Sequence, residues 1–272
     1  MANRVVDERI VIADTVTKLG AECAGRVVLG GSHGGVYAAY CAVKARARGV
    51  ILNDAGRAKD DSGIGGGVYC QELDIPYATV ETMSCRIGDG ESAFRDGIIS
   101  HANPLAASLG VAPGMPARKG ADLMCRAALS DRPVPAYAEA RTELPCPPGT
   151  RMIVLMDSAS LIVDEDVGRI VVTGSHGGVP SPDPAAALRV DAHAGFFHDA
   201  GVGRDRAALG RLAPLDDRGI IAATVACMSA RIGDGASIYH DGVLSHVNRT
   251  AAAAGAAAGR PARDFIDTLA GN

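Results

Sequence analysis

The apolar positions of this chain come in short, β-branched blocks, and each block stops at a cluster of small polar residues. Arg9 to Ala13, Val27 to Leu29, Val50 to Leu52 and Tyr77 to Glu81 have the length and composition of buried strands. Between them, Thr15 to Ala24 and Val36 to about Arg48 are expected to be helical. A short helix is expected after Gly90, then a strand at Gly97 to Ile99. Helical sequence follows from Pro104 to Ser130, broken between Val111 and Pro116. Strand, glycine loop, helix, strand is the order of a βαβ unit, whose strands pair in parallel.

The same pattern then runs a second time. RVVLGGSHGGV, from Arg26, returns as RIVVTGSHGGV from Arg169, an offset of 143. Past a gain of two residues the offset is 145, and Ile75 to Asn103 matches Ile220 to Asn248 at 17 of 29 positions. Unrelated sequences of ordinary composition would share roughly two. The chain is therefore an internal duplication, and the expected fold is α/β: two pseudo-symmetric halves, each with a mainly parallel sheet and flanking helices. The expected division is a first repeat over residues 1–132, a proline-rich linker over 133–149 and a second repeat over 150–272. The halves have diverged after Gly178, where Pro180, Pro182 and Pro184 stand in place of the first half's helix. Ala251 to Gly259 reads as an Ala/Gly-rich helical tail.

Composition narrows the field of functions. With 272 residues, a net charge of −4 and no Trp, there is no basic, aromatic-laced surface for nucleic acid. No apolar run reaches the length of a membrane span, and the N-terminal residues carry charges where a signal peptide is apolar. The seven Cys form no C-x-x-C pair, and none recurs at the equivalent position of the other half, which fits free thiols in a reducing compartment. These features predict a cytoplasmic protein acting on a small molecule, with a homo-oligomer permitted by the composition.

The repeated polar residues lie at or just past strand ends, where ligand sites of parallel sheets are built. They are Ser32 and His33 (Ser175 and His176), Asp54 (Asp199), Ser84 and Arg86 (Ser229 and Arg231), and His101 (His246). Gly30-x-Ser32-x-Gly34 matches a nucleophile elbow, and the string GGSHGG resembles the elbow of prolyl-oligopeptidase-type serine hydrolases. That resemblance covers about a dozen residues. It implies the local chemistry, with Ser32 as nucleophile, and not the hydrolase fold, because only some 31 residues precede the serine.

On this reading His101 or His33 is the base, Asp54 orients it, Gly34 and Gly35 amides hold an oxyanion, and Ser84 and Arg86 grip the substrate's anionic or amide end. In the second half Ser175, His176 and His246, with Gly177, Gly178, Ser229 and Arg231, would take the same parts. The expected function is hydrolysis of a small amide, cyclic amide or ester, with no cofactor and no metal. Two other readings stay open: a cofactor-independent isomerase or racemase with its site between the halves, and a small-anion binding module in which the glycine loop is a nest of amides. Within each repeat, Asp14, Thr15, Asp89 and Asn103 are the residue types that cap helices and close turns.

Overall fold

A computed structural model describes residues 3–145, 147–179 and 183–271. The chain divides into two compact units. The first holds Met1–Arg57, Asp61–Ala138 and Val202–Arg206, and the second holds Ala58–Asp60, Glu139–Gly201 and Ala207–Asn272.

The first unit is built on one six-stranded sheet in sequential order: β1 (Arg4–Val6), β2 (Ile10–Ala13), β3 (Val27–His33), β4 (Gly49–Asn53), β5 (Tyr77–Val80) and β6 (Ile99–Ala102). The four central strands run parallel, and the two outer ones are antiparallel to their neighbours. Both faces are covered, so the strands are apolar at nearly every position rather than at alternate ones. Val11, Val28, Val50 and Leu52 face α1 (Val36–Lys44) and α2 (Gly66–Glu72). Ile10, Ile12, Leu29 and Ile51 face the other way, towards α3 (Gly90–Asp96) and α5 (Ala117–Met124), with α4 (Pro104–Ser108) between these helices in the chain. Helix α1 turns Ala38, Ala39, Ala42 and Val43 inward, a stripe at helical spacing.

The second unit repeats this plan with β7 (Arg141–Glu143), β8 (Ile153–Met156), β9 (Ile170–His176), β10 (Ala194–His198), β11 (Ile221–Val225) and β12 (Leu244–Val247). Its helices are α6 (Leu212–Asp217), α7 (Gly235–His240), α8 (Arg249–Ala253) and α9 (Ala262–Ala270). The α/β architecture of two similar halves is thus as the duplication predicts.

Several local expectations are corrected. Thr15 to Ala24 is not a helix but two 3-10 turns, Val16–Lys18 and Ala21–Cys23, with Gly20 between them in extended conformation. Strands β1 and β7 are too short to show as apolar blocks, and β7 lies inside the proline-rich stretch. Helix α9, at the place of α5, follows the Ala/Gly tail.

Where the first unit has α1, the second has only a 3-10 turn at Pro184–Ala187; Pro180, Ser181 and Pro182 lie outside the described residues. Larger side chains take up the lost volume. Phe197 replaces Leu52, and Arg211 replaces Gly66, its guanidinium 5.1 Å from the Phe197 ring centre and bonded to the Ala187 carbonyl. Burial without a carboxylate pushes the Arg211 pKa down to about 10, and its Nε has no hydrogen-bond partner.

Candidate functional site

The GSHGG segment is where the sequence places the chemistry, and its backbone differs from an elbow. Strand β3 continues through Ser32 and His33, so the serine sits in extended chain and not in a tight turn. From Leu29 to His33 strand β3 advances four positions while β4 advances two, from Ile51 to Asn53, a bulge that β9 repeats against β10. A close approach accompanies the bulge. Gly31 O accepts the Gly88 amide at 2.8 Å, and a Cβ on Gly31 would lie 2.5 Å from Asp89 N. Gly174 meets Gly233 and Asp234 in the same way.

Ser32 is buried, and its hydroxyl accepts the Val16 amide at 3.1 Å; Ser175 accepts the Ala159 amide at 2.9 Å. Each serine thus fastens the 3-10 turn that follows β2 or β8. The two glycine amides expected to hold an oxyanion are already engaged: Gly34 N donates to Asn53 O at 2.6 Å, and Gly35 N to His33 Nδ1 at 3.2 Å. Gly177 N donates to His198 O and Gly178 N to His176 Nδ1. His33 and His176 accept at Nδ1, so a neutral ring carries its proton on Nε2.

Other repeated residues also hold the fold. Asp54 Oδ1 accepts from Gly56 N and Thr82 N, and Asp199 Oδ1 from Gly201 N and Cys227 N, joining two loops rather than orienting a histidine. Ser84 donates to Glu81 O and accepts from Ile98 N, a pair of bonds that Ser229 repeats with Ala226 and Val243. Arg86 Nε donates to Asp205 at 2.8 Å within the first unit, and Arg231 bonds Asp60 and Asp234 within the second. Asp89 and Asn103 cap α3 and α4.

The loop after β4 is unusual. Ala55, Arg57, Ala58, Asp60 and Asp61 have φ of 50° to 66°, and Ala200, Val202, Asp205 and Arg206 repeat the run. Each such non-glycine residue costs of order 1 kcal/mol or more. In the first unit this loop carries Arg57 and Asp61, joined at 2.9 Å, within electrostatic reach of His101.

His101 lies on β6 opposite Thr79, half-buried, with Nε2 over Gly67, where a Cβ would stand 3.4 Å away. Its ring is bonded to none of the described residues, whereas His246 Nδ1 lies 3.3 Å from Ser245 Oγ. Burial lowers the His101 pKa, the Arg57 guanidinium lowers it further, and Asp61 opposes both. In the second half Val202 and Arg206 stand where Arg57 and Asp61 do.

Ser32 and His101 are on β3 and β6, three strand spacings or about 14 Å apart. The structure does not bring them together as a catalytic pair. Lys18 is exposed. Among the described residues no group of three or more His, Cys, Asp or Glu side chains gathers to hold a metal ion. Six cysteines are described and free; Cys146 lies outside the described residues. Comparison by sequence across the repeat could not find Arg57 and Asp61, because neither is repeated. Among the described residues no helix is long and apolar enough to cross a membrane. Compared with protein-family models, with curated proteins and with solved structures, the chain finds no match in any of the three.

Proposed function

We propose that the protein hydrolyses a small amide, cyclic amide or ester at the C-terminal edge of the first unit's sheet, with His101 as general base. One observation carries this reading. Of the four histidines repeated between the halves, His101 is the one whose ring is bonded to no described residue, and Arg57 and Asp61 lie within its electrostatic reach. Of the other repeated polar side chains, Ser32, Asp54, Ser84 and their counterparts bond the backbone, and Arg86 and Arg231 are paired with carboxylates.

A neutral imidazole at this position takes a proton from water as the water attacks the substrate carbonyl. The imidazolium formed is stabilised by Asp61 and returns its proton to the departing amine or alcohol. Arg57 offers a guanidinium for the substrate's anionic end while Asp61 shares it. Water, and not Ser32, is the nucleophile in this scheme, since the Ser32 hydroxyl is bonded to Val16 N and no described imidazole is bonded to it.

The test is hydrolysis of a panel of small N-acyl amino acids and cyclic imides by the wild-type chain and by His101→Gln. Loss of turnover in the variant, with an unchanged thermal transition, supports the assignment. Turnover that survives the substitution overturns it.

A further inference from the structure

A second feature lies at the opposite end of the first unit's strands. A cavity of about 320 Å³ opens beside the N-terminal ends of β3, β4 and β5, lined among others by Val43, Arg46, Leu73, Ile75, Ser130 and Arg132. That volume is at the lower end of small-ligand sites. Its walls combine aliphatic side chains with two guanidiniums. Arg132 is paired with Asp74 at 2.6 Å, and Ser130 is tied to Leu73 O. The Arg46 side chain is bonded to none of the described residues, so the cavity carries a net positive charge at its rim.

The second unit has different side chains at the equivalent positions. Gly25 N donates to Arg46 O as Gly168 N donates to Asp191 O, both at 2.9 Å, which matches Arg46 with Asp191 and, at the same offset, Leu73 with Arg218. Arg218 lies across this region of the second unit. Its guanidinium donates to Leu188 O and Val190 O at 2.9 Å and to Asp191 at 2.7 Å. The second unit therefore supplies both partners of a guanidinium–carboxylate pair from its own chain. The first unit differs at both positions: Leu73 stands where Arg218 does and brings no guanidinium, and Arg46 stands where Asp191 does, a cation without a carboxylate partner among the described residues.

We propose that this cavity binds a small carboxylate with a compact apolar body. The carboxylate pairs with Arg46, taking the part of Asp191 with the charges exchanged, and the body lies against Val43, Leu73 and Ile75. An apolar wall of this kind disfavours inorganic phosphate, which has no surface to place there. The assignment is independent of the His101 site, because it uses none of the same residues and lies at the other end of the strands.

Calorimetric titration of the full chain with hexanoate, hexanol and inorganic phosphate tests it. Hexanoate is expected to bind saturably and more tightly than hexanol or phosphate. Arg46→Gln should weaken hexanoate about tenfold or more, corresponding to roughly 1.4 kcal/mol. The double variant Leu73→Arg with Arg46→Asp, which rebuilds the second unit's Arg218–Asp191 pair, should abolish binding. If that variant does not fold, Arg46→Gln, a change at an exposed side chain, still decides. No saturable heat with hexanoate, equal affinity for hexanol, or unchanged binding in Arg46→Gln would overturn the proposal.

Discussion

The Ser32 hydroxyl accepts the Val16 backbone amide at 3.1 Å, and 143 residues later Ser175 accepts the Ala159 amide at 2.9 Å. A serine kept in both halves is thus explained by the backbone it holds. Replacing Ser32 with alanine leaves the buried Val16 amide without an acceptor, at a cost of about 1–3 kcal/mol. The expected outcome is a lower urea midpoint with an unchanged slope and with turnover retained.

Gly31 is set by a different constraint. A methyl group there would overlap the backbone of Gly88 and Asp89, which cannot retreat without breaking the Gly88 bond to Gly31 O and the cap of α3. Gly31→Ala should cost about 1–3 kcal/mol through overpacking, and Gly174→Ala should do the same in the second unit. Denaturant unfolding measures both.

These two positions show what the sequence could and could not reveal. The α/β plan was legible because buried strands must be apolar and the duplication repeats them in register. The site was less legible, because agreement between halves selects residues that the fold requires. Ser84, Asp54 and Asn103 recur for their hydrogen bonds to loops and helix starts. Arg57 and Asp61 occur in one half only and carry no such signal. The bulge at Gly30 and Gly31 was also hidden, since a glycine-rich strand end and a glycine-rich turn have the same composition.

His198 gives a pH-dependent prediction. It replaces Asn53 and keeps its bonding: Nδ1 accepts Ala200 N at 3.0 Å as Asn53 Oδ1 accepts Ala55 N, and Nε2 lies 3.0 Å from Ala230 O. Burial lowers its pKa in the folded chain. The unfolded chain therefore binds this proton first, so the contribution of His198 is full above about pH 6.5 and declines as pH falls below it. His198→Asn should flatten the loss of stability as pH falls below about 6.5, measured by denaturation at a series of pH values.

Asp166 is fully buried, accepting from Arg141 at 2.6 Å, Arg169 at 3.3 Å and Val163 N at 3.0 Å. The equivalent position in the first half is Cys23, whose thiol burial pushes up to about 11. Asp166→Ala removes the buried carboxylate that Arg141 and Arg169 share, leaving them Glu143, and takes the acceptor from Val163 N, so it should cost about 1–3 kcal/mol. The Arg86 pair with Asp205 is half-exposed on both sides, so Arg86→Ala should cost less than about 1 kcal/mol. Thermal unfolding of the two variants separates these cases.

The environment of His101 predicts shifts of opposite sign. Arg57→Gln removes a charge that lowers its pKa and should move the ring titration to higher pH; Asp61→Asn removes one that raises it and should move the titration lower. NMR titration of the His101 ring reads both without a substrate.

Parallel assay of the wild-type chain, Ser32→Ala and His101→Gln on the same panel of small N-acyl amino acids and cyclic imides tests the account most directly. It predicts that Ser32→Ala turns over at nearly the wild-type rate while His101→Gln loses about 10²- to 10⁴-fold. It also predicts a wild-type rate that rises with pH through a midpoint below the ordinary histidine value of about 6.5. Turnover that survives in His101→Gln and vanishes in a folded Ser32→Ala would contradict it and return the chemistry to the serine.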